Sequence, residues 1–169
     1  MPRLFALDHN FPKPIVDVLG KFQTDAELVR ISDIDARMPD LDDWEVLLAL
    51  HQHERDFDGL ITQDGSMLNL ERELSVLVQT KLTLVVALKS GDSPVKATGL
   101  LFAYLAGICN RTDPSTPQVW RLNAAERSGD PTWDYLTRLA SKRNSSAQEI
   151  YTRSRLTKAE LARNPLGDE

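Results

Sequence analysis

Four acids carry the types and spacing that could do chemistry in this sequence: Asp8, Asp43, Glu45 and Asp64. Asp8 ends the apolar run Leu4-Phe5-Ala6-Leu7. Asp64 closes the stretch Leu60-Ile61-Thr62-Gln63, and Asp43 and Glu45 stand just ahead of Val46-Leu47-Leu48-Ala49-Leu50. Acids gathered at one edge repel one another, and a Mg²⁺ or Mn²⁺ ion removes that cost because such ions take hard oxygen ligands. The chemistry this implies is phosphodiester hydrolysis, in which the metal acidifies a water and stabilises charge on the transferring phosphoryl group. No serine, cysteine or histidine arrangement offers a competing nucleophile. Each acid also has a plainer explanation. Asp8 and Asp64 suit turns and helix caps, and Asp43 and Glu45 suit the positive end of a helix dipole.

The elements decide whether these acids meet. Residues 3–7 read as a buried strand that ends at Asp8, and Pro12 opens a helix over 12–22. Residues 28–31 read as a second strand. Asp40 or Asp42 caps a helix that runs to about Glu54. A third strand, 60–62, ends near Asp64, and a helix follows at about 66–79. Residues 82–88 form the clearest buried strand, and a helix starting at Pro94 runs to about Cys109. Residues 119–122 are expected as a fifth strand at the sheet edge. Beyond Ala124 the composition changes, with helices expected over 131–142 and 147–162. Alternating strands and helices predict an α/β class with a mostly parallel sheet of about five strands. The expected domain spans 1–123, and 124–169 is a C-terminal helical extension. In such sheets the carboxyl ends of strands open onto the ligand crevice. The ends of strands 3–7 and 60–62 lie about 5 Å apart if the two are neighbours, or about 10 Å if one strand intervenes, and carboxylates from both would then share one ion.

The totals set limits on this reading. The chain of 169 residues is 41% hydrophobic and 27% charged, as one soluble domain requires. No apolar run approaches a membrane span, and no secretory signal is expected at the start; a cytoplasmic location follows by default. Cys109 is the one cysteine, which rules out an internal disulfide and marks it as a small buried hydrophobe. The net charge of −5 is uneven: residues 1–80 carry −9, residues 81–137 carry +1 and residues 138–169 carry +3. An acidic body suits cations, and a mildly basic tail is either a solvated helix face or a surface for RNA or an acidic partner. Trp44, Trp120 and Trp133 read as packing residues.

Three motifs in order resemble a known family. Leu7-Asp8-His9-Asn10-Phe11-Pro12 resembles the LDENLP opening of PIN-like proteins related to VapC toxins. Asp42-Asp43-Trp44-Glu45-Val46-Leu47 resembles their SDEEIL helix start, and Leu60-Ile61-Thr62-Gln63-Asp64 resembles LVTRD. The resemblance covers about residues 3–110. It implies a three-layer PIN-like fold and a metal-dependent endoribonuclease, often the toxin of a toxin–antitoxin pair. It also implies RNA as substrate, an antitoxin as a possible protein partner, and a homodimer without membrane attachment. By the same resemblance Asp8, Asp43 and Asp64 hold Mg²⁺ or Mn²⁺, with Glu45 as a fourth catalytic acid. Asn10 orients the first acid or binds substrate. The sequence departs from the family at His9, where a glutamate is usual, and at Gln63, where a basic residue is usual. It departs again at Ser66, which stands where a further acid is frequent and is counted with Asn10 as substrate-binding. Two other readings remain open. One is a lapsed PIN-like protein that binds RNA or a partner. The other is a receiver-like domain with Asp64 as phosphoacceptor, assisted by Lys89 or Ser90.

Overall fold

Alternation along one strand organises the molecule. In strand β1 (Arg3–Leu7), Leu4 and Ala6 join one hydrophobic cluster and Phe5 and Leu7 join another, as the period of two in a strand requires. The computed structural model describes residues 1–87, 93–122 and 129–167. Within them β1 is followed by helix α1 (Lys13–Gly20), strand β2 (Ala26–Arg30), the short helix α2 (Ile31–Ile34) and helix α3 (Asp43–Gln52). Strand β3 (Gly59–Thr62), helix α4 (Glu71–Thr80) and strand β4 (Thr83–Ala87) come next. Helix α5 (Pro94–Arg111) and strand β5 (Gln118–Leu122) precede strand β6 (Gly129–Pro131), helix α6 (Thr132–Lys142), helix α7 (Ala147–Ser154) and helix α8 (Lys158–Ala162).

These strands form one sheet in the order β2-β1-β3-β4-β5-β6. Strands β1 to β5 run parallel, and β6 pairs antiparallel with β5. Helices α3, α4, α6 and α7 pack on one face, through Val46, Leu47, Leu74, Leu77, Leu136 and Ile150 among others. Helices α1 and α5 pack on the other, through Val16, Leu101 and Leu105. The steps β3-α4-β4 and β4-α5-β5 move the same way along the sheet but use opposite faces. The second therefore has the opposite hand to the first, against the strong preference for right-handed crossovers. A doubly wound fold of the receiver type places both on one face, so this chain departs from that plan.

Two glycines permit close approaches. A Cβ on Gly59 would stand 1.9 Å from the Thr83 carbonyl oxygen, so β3 meets β4 only with glycine there. A Cβ on Gly129 would stand 2.6 Å from the Trp120 ring. At the amino end of the sheet Arg3 pairs with Asp58 at 2.7 Å and donates to the Thr112 carbonyl at 2.9 Å. These bonds join β1, the turn before β3 and the end of α5.

The structure corrects several sequence expectations. Among the described residues the sheet has six strands and not about five, and β5 is an interior strand because β6 covers its outer side. Gly129-Asp130-Pro131 carries no strand propensity, and proline is tolerated only because it lies on an edge. The helix expected over 66–79 begins as a 3₁₀ turn, Gly65–Asn69, and restarts as α4 after an extended Leu70. The helix expected over 147–162 breaks at Arg155 and restarts where Thr157 and Glu160 form a capping box. The boundary expected near residue 123 is crossed by the core: Tyr135, Leu136, Leu139, Ile150 and Leu156 are buried in the same cluster as Leu60 and Leu84. Glu71 in the first turn of α4 also binds Arg143 and Arg153, which ties the tail to α4. Lys89 and Ser90 lie outside the described residues. Cys109 is buried as expected, and burial pushes its thiol up to about 11. Among the described residues no helix is long and apolar enough to cross a membrane.

Candidate functional site

The crevice forms where the chain changes direction. It leaves β1 toward β2 on one side and later returns to place β3 on the other. The carboxyl ends of β1 and β3 therefore flank a topological switch point, where parallel sheets bind ligands. Asp8 follows β1 directly, and its backbone N–H donates to the Ile61 carbonyl at 2.9 Å, which extends the pairing of the two strands. Its carboxylate is held from two directions. Thr62 Oγ1 donates to Asp8 Oδ2 at 2.9 Å, while the His9 backbone N–H and His9 Nδ1 approach Asp8 Oδ1 at 2.6 and 2.7 Å.

Thr62 is the hub of this edge. Its hydroxyl donates to Asp8 and also accepts the Asp64 backbone N–H at 3.0 Å. The residue is 1% exposed, so its hydroxyl is withdrawn from water and needs these protein partners, because leaving a buried polar group without one is costly. Asp64 in turn accepts the Ser66 backbone N–H on Oδ1 at 2.8 Å and so starts the 3₁₀ turn. Ser66 serves through its backbone at this point, and its side chain lies at the surface.

Asp43 is the first residue of α3. Asp42 caps that helix in a capping box, with its backbone N–H donating to Glu45 Oε2 at 3.2 Å. Burial pushes the Asp43 carboxyl up from the usual range, and the charges of Asp64 and Asp8 push it further. Asp8 and Asp43 line one cavity of about 40 Å³ together with His9, Met38 and Met67. That volume admits a water or a small ion but not a nucleotide.

Three of the four acids singled out from the sequence thus share one field: Asp8, Asp43 and Asp64. Glu45 is occupied by its capping bond to Asp42. Asn10 is exposed, and it is the Asn10 carbonyl that accepts a bond, from Gln63 Nε2 at 3.3 Å. The sequence reading missed Thr62, whose β-branched side chain passes for ordinary strand filling. It also missed Glu73, which is 8% exposed on α4. Burial raises the Glu73 carboxyl first, and the Asp43 and Asp42 charges add to that. Its signal was present but ambiguous, because Glu71 and Glu73 both suit the start of a helix.

Among the described residues no three His, Cys, Asp or Glu side chains stand close enough to hold one metal ion. The acids have the oxygen donors and the mutual repulsion that suit a divalent cation, although His9 offsets part of that repulsion. They share an electrostatic field without forming a closed coordination shell. Fold and site together define an α/β protein with an acid-lined crevice at the switch point of a mostly parallel sheet. Comparisons with models of known protein families, with curated proteins and with solved structures found no match.

Proposed function

We propose that the chain is a Mg²⁺- or Mn²⁺-dependent endoribonuclease of PIN-like, three-layer architecture, with Asp8, Asp43 and Asp64 as its metal-binding acids. The observation that carries this reading is convergence. Three elements far apart in sequence deliver carboxylates to one crevice, with Asp8 and Asp43 on a common cavity and Asp8 and Asp64 tied through Thr62. Helices on both faces of the sheet support the three-layer description. The cation, when bound, stabilises the negative charge that gathers on the phosphoryl group. Burial and the charges of Asp64 and Asp8 disfavour the Asp43 carboxylate when no cation is present, which a bound cation would offset. Thr62 aims Asp8, and Asp64 caps the 3₁₀ turn that follows it. An antitoxin and a second copy of the chain are partners that the family resemblance adds.

A second reading, a lapsed site that binds RNA or a partner without cutting, has its own support. His9 occupies Asp8 Oδ1 twice, and among the described residues no three acids close on one point. Cleavage of a mixed RNA pool by the purified protein, with and without Mn²⁺, separates the two. The nuclease reading expects metal-dependent products that fall by at least about 100-fold in Asp8→Asn and Asp64→Asn, as removal of a principal charge-stabilising group does. RNA binding without cleavage in Mn²⁺ would leave the lapsed reading standing alone.

A further inference from the structure

An acidic body must still attract a polyanion. Residues 1–80 carry −9, so an RNA strand that reaches the crevice meets repulsion unless a cationic surface lies beside it. A cavity of about 240 Å³ opens next to the acid edge, lined by Gly65, Asn69, Arg121, Tyr135, Arg138 and Lys142. The 3₁₀ turn Gly65–Asn69, which follows Asp64, lines this cavity through Gly65 and Asn69 and the acid cavity through Met67. The sheet register sets their separation. Thr62 pairs with Val86 and Val86 pairs with Arg121, which places the Arg121 backbone about 10 Å, two strand spacings, from Thr62.

The cations of this cavity differ from others on the same tail. Arg143 and Arg153 are neutralised by Glu71. Arg138 and Lys142, both exposed, pair with no carboxylate among the described residues. They stand four apart on α6, so they project together, and like charges at that spacing destabilise a helix that has no anion to share. Arg138 lies over the Tyr135 ring at 5.0 Å, which fixes its guanidinium beside the cavity. Tyr135 is anchored in turn by donating to Asp130 Oδ2 at 3.2 Å. The volume suits a phosphate with part of its sugar, and an arginine held on an aromatic ring is a geometry that recognises phosphate.

We infer that the α6 cavity, through Arg138 and Lys142 with Arg121 at its base, binds a backbone phosphate of single-stranded RNA and feeds the strand to the acid edge. The choice of RNA rests on the proposed nuclease reading, while binding of the phosphate does not require cleavage.

The test is anisotropy of a fluorescein-labelled, mixed-sequence single-stranded RNA in EDTA over a range of salt. The wild type is compared with Arg138→Ala/Lys142→Ala and with a control of equal charge change, Lys158→Ala/Arg163→Ala. The cavity variant is expected to bind about tenfold more weakly. Its plot of log affinity against log salt should be shallower by about 0.7 for each phosphate that no longer meets a cation. The control should match the wild type. Equal behaviour of the cavity variant and the control overturns the inference. So does displacement of the RNA by inorganic phosphate as readily as by unlabelled RNA at matched ionic strength, which makes the cavity a site for free anions. Metal-dependent cleavage measured in parallel separates the two proposals. Cleavage without the binding difference removes the phosphate cavity alone. The binding difference without cleavage removes the nuclease alone and keeps the cavity.

Discussion

Asp43 is the residue that reports the crevice. Its carboxyl is raised by burial, then by Asp64 and Asp8. A raised acid binds protons more readily folded than unfolded, so its ionisation lowers stability as pH climbs from the usual carboxylate range through the folded value. Below that range the effect is absent. Asp43→Asn removes the buried charge, and with it the burial cost and the repulsion from Asp64 and Asp8, but gives up part of a favourable helix-dipole interaction. The raised carboxyl means that its charged form is disfavoured on balance, so the variant is expected to melt higher than the wild type at pH 7, with the difference shrinking toward pH 3. Added Mn²⁺ should raise the wild-type melting temperature and leave Asp43→Asn unmoved. Differential scanning fluorimetry across pH, with and without metal, reads both effects. A variant less stable at pH 7 than at pH 3 relative to the wild type would show that Asp43 acts as a helix-start acid only.

At the scale of elements, β3 positions the crevice because it lies between β1 and β4. Its exit carries Thr62, whose hydroxyl bonds both the Asp8 carboxylate and the Asp64 backbone. Its entry is Gly59, where no side chain fits against the Thr83 carbonyl. Gly59→Ala must push β3 from β4 and is expected to cost about 3 kcal/mol, the upper range for overpacking a core. Urea denaturation measures this directly. A cost of less than about 0.5 kcal/mol would mean that the strands yield without penalty. Helix ends show the same local logic. Asp42 with Glu45, Ser146 with Glu149 and Thr157 with Glu160 each start a helix through a capping box.

Across the whole molecule, the tail and the sheet share one hydrophobic core. Tyr135, Leu136, Leu139, Ile150 and Leu156 belong to the cluster that also contains Leu60, Leu84 and Val119. Removing a single buried leucine side chain costs about 2–5 kcal/mol, against a total stability of about 5–15 kcal/mol for an ordinary domain. A fragment of residues 1–123 is therefore expected to be unfolded at about 25 °C, with far-UV circular dichroism lacking the helical signal of the full chain. A cooperative melt from that fragment would show that the tail is dispensable for folding. The same packing places the α6 cations on a cavity that the 3₁₀ turn after Asp64 also lines.

The strands and their order along the chain were legible because each buried parallel strand is a short apolar run bounded by polar residues. Residues 3–7, 60–62 and 82–88 all read that way, and the structure has strands at or within each run. The acids at strand exits and the Asp42 cap were legible for the same local reason. Strand neighbours were not, since pairing depends on which faces bury the most surface over long separations. The place of β6, the bonds of Thr62, the burial of Glu73 and the engagement of Glu45 by its own cap follow from packing. The tail is the clearest case. Its amphipathic helices announce that they must cover something, but a hydrophobic face does not name its partner. Only the three-dimensional arrangement assigns α6 and α7 to the same sheet face as α3 and α4, because hydrophobic burial is non-directional and is resolved by shape.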